Sequence, residues 1–255
     1  MSAVVCRFSC GAASAVATKL ILASRDPSTV EIVNVFIQEE HEDNRRFLTD
    51  CAKWFQHDIT VLRDRKYNAS TDEIWKRKRF MVGMRNAPCS VHLKHDLLDA
   101  FVLENAGAVN VFGFTCDEVD RFTRFQKNHP EWECVAPLIE NNLSKSDCLA
   151  IIDRAGIVLP ITYRMGYDNA NCIGCPKGGQ NYWQAIREDF PERFVQVQKI
   201  QEDIGPGANF LRFRSGPRKN ERMPLSELPA GRGNMADEPS FSCSFYCEMA
   251  EDQIQ

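Results

Sequence analysis

The chain opens with an apolar, β-branched run at 3–8, a turn of small residues at 9–14, and good helix formers at 15–23. Strand, tight loop, helix is the opening unit of a parallel sheet, and the pattern continues. Residues 31–37 read as a second strand, 44–55 as an amphipathic helix, 59–62 as a third strand and 108–114 as a fourth, with helical stretches between. Strands alternating with helices predict an α/β fold, a parallel sheet with helices on both faces. Ligands of such sheets bind at the carboxyl ends of the strands, where the loops gather.

The pattern changes near 141. A helix is expected over 144–155, with Ser144 as its cap and Gly156 as its stop. Residues 169–179 form a loop rich in Asn, Gly and Cys, and 182–204 read as helical with an interruption at Pro191. Beyond Gly205, many Gly, Pro and Arg residues with little periodicity predict an irregular arm over 206–239. The expected division is a nucleotide-binding α/β domain over 1–168 and a cysteine-bearing extension of loop, helices and arm over 169–255.

At 255 residues the chain is long enough for one sizeable core. A formal charge of −4 argues against a non-specific nucleic-acid binder. The basic run over 75–85, with Lys76, Arg77, Lys78, Arg79 and Arg85, reads first as a solvated helix face. No apolar run reaches the roughly 18 residues of a membrane span, and no signal peptide is read at the N-terminus. A cytoplasmic location with no membrane partner is therefore expected. The 11 cysteines are then expected as reduced thiols, where clusters bind metal or do chemistry.

Arg7-Phe8-Ser9-Cys10-Gly11-Ala12-Ala13-Ser14 joins the first strand to its helix. Small residues at a helix N-terminus let backbone N–H groups approach a phosphate, and the helix dipole favours the negative charge. Ser9 and Ser14 add hydroxyls. The segment resembles the Ser-Gly-Gly-x-x-Ser pyrophosphate loop of the phosphoadenosine phosphosulfate (PAPS) reductase and ATP-pyrophosphatase superfamily, with Cys10 in place of the first Gly. Leu159-Pro160-Ile161-Thr162-Tyr163-Arg164-Met165-Gly166-Tyr167, then Ile173-Gly174-Cys175, resembles the Leu-Pro-x-x-x-Leu-Tyr-x-x-Gly-Tyr-x-x-Ile-Gly-Cys signature of the same family. Looser matches are Glu39-Glu40-His41-Glu42-Asp43-Asn44 with Phe47, and Gly113-Phe114-Thr115 with Glu118 and Arg121. Asn171 to Gly179, with Tyr182-Trp183 and Ile186-Arg187, looks like a subgroup common in phage and bacterial genomes. The resemblance implies an adenine nucleotide α-hydrolase-like fold. It also implies an adenine nucleotide ligand: PAPS, adenosine phosphosulfate, or ATP with magnesium. Nucleotide contacts are expected from Ser9, Cys10, Gly11, Ser14 and Gly113, with Lys94, Arg121 and Lys177 as cations that offset phosphate or sulfate charge.

Cys172 and Cys175 form a Cys-x-x-Cys pair, whose spacing lets both thiolates converge on one metal or cluster. Cys89, in Pro88-Cys89-Ser90-Val91-His92-Leu93-Lys94, resembles the Cys-Cys-x-x-Arg-Lys segment of cluster-bearing sulfonucleotide reductases, with Ser90 at the second cysteine's place. The expected ligands of a 4Fe–4S cluster are Cys89, Cys172, Cys175 and Cys247, with zinc as the alternative for the same thiolates. Family reductases use a C-terminal Cys-Gly-x-His thiol as nucleophile. Cys243-Ser244-Phe245-Tyr246 stands at the corresponding end without the Gly and His, making Cys243 the expected reactive thiol; the roles of Cys243 and Cys247 exchange readily. Cys6, Cys51, Cys134 and Cys148 read as buried small hydrophobes, and Cys116 as structural.

The resemblance implies an enzyme, an oxidoreductase or sulfurtransferase, with sulfonucleotide reduction as the leading activity and a thiol electron donor as partner. ATP-dependent thiolation of a nucleic acid or other acceptor is the first alternative. A non-catalytic nucleotide-binding or redox-sensing protein is the second. A homo-oligomer remains open.

Overall fold

The structure is a computed structural model that describes residues 3–83, 87–105 and 107–238. Arg85, Cys243 and Cys247 lie outside the described residues. In chain order the elements begin with β1 (Val4–Arg7), α1 (Ala12–Ser24), β2 (Val30–Val35), α2 (Asp43–Phe55), β3 (Thr60–Leu62) and α3 (Thr71–Lys78). A π-helical turn at Ser90–His95 leads into α4 (Asp96–Glu104), then β4 (Val109–Val111), α5 (Val119–Asn128), β5 (Cys134–Val135), α6 (Pro137–Glu140) and α7 (Lys145–Arg154). The chain continues through α8 (Ile161–Arg164), α9 (Gln180–Asp189), α10 (Pro191–Ile204), β6 (Leu211–Arg212) and β7 (Arg222–Met223).

Five strands form one parallel sheet in the order β3-β2-β1-β4-β5. The alternation of β1 explains its two-sided burial. Val4 and Cys6 pack with α1, α2 and α7 residues such as Ala15, Phe47 and Ile152. Val5 points the other way, toward Val33 and Ala108, with Leu98 and Phe101 of α4 against them. Helices therefore cover both faces, as the alternation of elements predicts. The short β5 falls outside the sequence expectation, since two residues show no period.

The chain runs outward from β1 to β2 and β3, then returns to place β4 on the other side of β1. This reversal makes the carboxyl ends of β1 and β4 the switch point of the sheet, where ligands of open α/β sheets bind. The loop 8–11 and Gly113 lie at those two ends.

Residues 169–238 join the sheet through a shared core. Val35 and Ile37 beyond β2, Ile74 and Trp75 of α3, Trp183 and Ile186 of α9, and Val197 of α10 belong to one buried cluster. A buried ion pair reinforces it: Arg193 of α10 meets Asp72 of α3 at 2.8 Å and also donates to the Ile173 carbonyl at 2.9 Å. Ser144 caps α7 in a capping box with Asp147, as expected. The arm differs from the expectation of irregular chain. It carries the antiparallel β6–β7 hairpin and buries Leu211, Met223, Leu225 and Leu228 in the core. Strands of two residues show no sequence periodicity, whereas burial of four apolar side chains holds them in place. Among the described residues no helix is long and apolar enough to cross a membrane.

Candidate functional site

The phosphate-loop candidate is built as the sequence suggests, with the backbone doing the shaping. Cys10 adopts φ 58°, the left-handed region that glycine favours, so it takes the bend a glycine would take. Its side chain is fully buried. Ser14 ties the loop together: its hydroxyl donates to the Gly11 carbonyl at 2.9 Å, accepts the Ser9 amide at 3.2 Å, and lies 3.1 Å from the Ser9 hydroxyl. No side chain of the N-cap residue, Gly11, caps α1 and no acidic residue sits in its first turn. Its positive end is electrostatically suited to an anion.

Two residues outside the loop hold it in place. The Tyr163 hydroxyl accepts the Ala12 amide at 3.3 Å, and burial pushes this phenol up to about 12. Tyr163 is positioned by a clamp from α2, in which Asp43 accepts the Ile161 amide at 2.8 Å and Arg46 donates to the Val158 and Leu159 carbonyls. Gly113 packs on the same turn. A Cβ there would stand 2.9 Å from the Ser14 nitrogen and 3.1 Å from the Ala13 carbonyl carbon, so only glycine lets the end of β4 meet α1 this closely. The structure thus gives Gly113 a packing role where the end of β4 meets α1.

Beside the loop lies a network that the sequence reading did not assign. Asn34, at the end of β2, donates to the Phe8 carbonyl at 2.8 Å and to the Cys10 sulfur at 3.5 Å. Arg45 donates to Asn34 Oδ1 at 3.0 Å and reaches the Cys10 sulfur at 3.7 Å. Glu40 is nearly buried and pairs with Arg45 at 3.0 Å and with Lys94 at 3.6 Å. Burial, reinforced by Glu40 and opposed by Arg45 and Lys94, pushes the Cys10 thiol up to about 12. Cys10 is a neutral thiol at neutral pH, which removes it as a nucleophile.

The cysteine turn is attached to the same edge of the sheet. Glu40 forms an antiparallel bridge with Cys172, and the Ile173 amide donates to the Glu39 carbonyl at 2.8 Å. The Glu39 carboxylate in turn takes the Ser70 hydroxyl at 2.6 Å and the Thr71 amide at 2.9 Å. Gly174 sits at φ 75°, which bends the turn between the two cysteines. Tyr182 fills its mouth: the hydroxyl accepts the Gly174 and Cys175 amides at 2.9 and 3.0 Å and donates to the Cys172 carbonyl at 3.1 Å. Cys89, Cys172 and Cys175 are all buried in one cluster. Among the described residues no group of three or more His, Cys, Asp or Glu side chains is arranged to hold a metal ion.

The expected cations are dispersed. Lys94 lies at Glu40, on the π-helical turn that follows Cys89. Arg121 pairs with Glu118 at 2.6 Å, and its guanidinium stands 6.0 Å from the centre of the Phe114 ring. Lys177 lines a separate groove with Arg212 and Arg214. His95, at the end of the π-helical turn, is buried. Cys6, Cys51, Cys134 and Cys148 are buried as the sequence suggests, and burial raises the pKa of each.

Glu238, the last described residue, ties the end of the described arm to the start of α9. Glu238 is buried, accepts the Gly179 amide at the start of α9, and has Arg214 3.8 Å away. No sequence signal marks this carboxylate, since its partner amide is 59 residues earlier. Compared with protein-family models and with curated proteins, the chain matches none.

Proposed function

We propose that this chain is a PAPS reductase-like enzyme that acts on an adenylated sulfur compound at the switch point between β1 and β4. The observation that carries the reading is the position of Glu40. Its carboxylate holds Arg45 and Lys94 beside the small-residue loop, while its backbone is bridged to Cys172 of the cysteine turn. One residue thus joins an anion-suited helix terminus to the pair of thiols that would hold the metal centre. The nucleotide's phosphate would lie over the N-terminus of α1, with Arg45 and Lys94 offsetting its charge.

Cys89, Cys172 and Cys175 share a buried apolar setting, and with Cys247 they are the thiolates that would hold a 4Fe–4S cluster or zinc, although the three described ones are not gathered into a metal-holding group in this structure. When bound, the cluster supplies local electrostatics at the thiol site. The chemistry proposed for the chain's own residues is nucleophilic. The Cys243 thiolate attacks the sulfur of bound PAPS or adenosine phosphosulfate, an S–S bond forms, and the S–O bond to the phosphate breaks. AMP or its 3′-phosphate leaves with the electron pair. An external dithiol then attacks the Cys243 sulfur, releasing sulfite; its second thiol restores Cys243 and the donor becomes a disulfide. Sulfur gains two electrons and the dithiol loses two. Cys243 follows Glu238 by five residues in sequence.

Incubation with PAPS, adenosine phosphosulfate and ATP in turn, with a dithiol present, tests the reading. Equimolar sulfite and adenosine phosphate are expected from one sulfonucleotide, lost in Cys243→Ser with nucleotide affinity kept. Iron and sulfide analysis of anaerobically purified protein is expected to give a cluster, absent from Cys172→Ser. Zinc in its place would keep the ligands and remove the iron. A second reading, ATP-dependent thiolation of a nucleic acid, draws support from the basic groove at Lys177, and pyrophosphate release from ATP would favour it. No product with any donor would favour a non-catalytic nucleotide-binding protein.

A further inference from the structure

A groove of about 430 Å³ opens beside the cysteine turn. It is lined by residues 176–180 and by 210–214 around β6, together with Asn220. Lys177, Arg212 and Arg214 line it together with the half-buried rings of Phe210 and Phe213. The sequence over 210–222 holds five Lys or Arg residues and a single Glu, in a chain whose formal charge is −4. Arg212, Arg214, Arg218 and Lys219 are exposed on this ribbon.

These charges are oriented but only partly balanced. Arg212 donates to the Asn220 carbonyl, a neutral acceptor, and among the described residues no carboxylate pairs with it. Arg214 is steadied by Asn181 Oδ1 at 3.2 Å and stands 3.8 Å from Glu238. Arg218 is the exception, held by Glu221 and Glu227 and stacked on Phe213 at 4.2 Å. The basic face of α3 makes the contrast. There Arg77 is paired with Glu73 and Arg79 with Asp203, and Lys76 and Lys78 project from a convex helix.

We infer that the groove between 176–180 and β6 binds a single-stranded nucleic-acid segment. A phosphodiester chain carries one negative charge per nucleotide with flat apolar bases between, and cationic grooves with aromatic walls bind it by pairing and stacking. Guanidinium groups held in place by Asn220 and Asn181 match phosphate geometry. The groove begins at Pro176, next to Cys175, so a strand lying in it passes the cysteine turn. The inference concerns binding alone and stands whether the site reduces a sulfonucleotide or thiolates an acceptor.

The test is fluorescence anisotropy with labelled single-stranded RNA and DNA of about 15 nucleotides, a length suited to grooves of this kind. A duplex and polyglutamate serve as competitors. Wild type is expected to bind a single strand with affinity that falls steeply with salt. Arg212→Glu with Arg214→Glu is expected to weaken binding about tenfold or more, whereas Lys76→Glu with Lys78→Glu changes it less than about twofold. Should circular dichroism show the first pair unfolded, Arg212→Gln with Arg214→Gln is expected to weaken binding about threefold in a folded protein. Equal losses in the two charge-reversed pairs, or unchanged binding in the folded Gln pair, would overturn the assignment. So would competition by polyglutamate or duplex as strong as by the single strand.

Discussion

The hydroxyl of Tyr182 accepts the backbone amide of Cys175 at 3.0 Å, in a site fully removed from solvent. The same oxygen takes the Gly174 amide, so one phenol satisfies two buried donors of the cysteine turn. Its pKa is raised well above the ordinary value, chiefly by burial, and the phenol stays protonated to donate to the Cys172 carbonyl. Tyr182→Phe leaves these groups unpaired at a cost of about 1–3 kcal/mol for each buried donor. The expected outcome in calorimetry is a melting temperature lower by several degrees, roughly 2–4 °C per kcal/mol for a chain of this size. A thiol titration should also show Cys172 and Cys175 modified faster. An unchanged melting curve would mean that the turn holds without its tyrosine.

Gly113→Ala tests the close approach of β4 to α1. The added methyl would sit 2.9 Å from the Ser14 nitrogen and 3.1 Å from Ser14 Cα, and this α1 backbone, unlike a side-chain tip, cannot swing aside. Overpacking of this kind costs about 1–3 kcal/mol and here would displace the phosphate loop. Nucleotide affinity measured by calorimetry should fall, whereas Gly207→Ala, in open space, should change neither stability nor affinity. Retained affinity in a folded Gly113→Ala protein would disconnect Gly113 from the ligand site.

Alkaline stability follows from the buried thiols. Burial raises Cys6, Cys10 and Cys148 to about 12 from an ordinary 9.0. Below pH 9 both folded and unfolded chains keep these protons, and the stability is fully present. Between 9 and 12 only the unfolded chain ionises, so it binds fewer protons and stability falls as pH rises, by up to about 1.4 kcal/mol per pH unit for each thiol. Urea midpoints measured across this range should drop progressively in wild type and less steeply in a Cys6→Ala, Cys148→Ala variant. Equal slopes would show that these thiols do not govern the alkaline limb.

Glu238→Ala removes the carboxylate that closes the first turn of α9 and leaves the Gly179 amide without it. If this anchor delivers the cysteine-bearing arm, the turnover rate should drop about tenfold or more while nucleotide affinity stays unchanged. Parallel measurement of kcat and of AMP affinity separates the two. A fall in affinity with turnover preserved would assign Glu238 to the nucleotide site instead.

Much of the fold could be read from local pattern. The first two strands and α2 lie within one or two residues of their expected bounds, because a short apolar, β-branched run and an amphipathic stripe are properties of short windows. Pro191 marks the start of α10 and Ser144 the cap of α7 for the same reason. The two-residue strands β5, β6 and β7 escaped, having too few residues to show a period.

The site divides along the same line. By itself the sequence determined the small-residue loop after β1, the Cys172–Cys175 spacing and the parallel architecture that puts loops at one sheet edge. Tertiary structure alone decided that Tyr163 would cap an amide 151 residues away, that Glu40 would stand between Arg45 and Lys94 while bridging Cys172, and that Glu238 would close α9. The physical reason is range. Propensity, capping and periodicity act over a few residues, whereas these partners meet only after the order β3-β2-β1-β4-β5 has folded distant segments onto one edge.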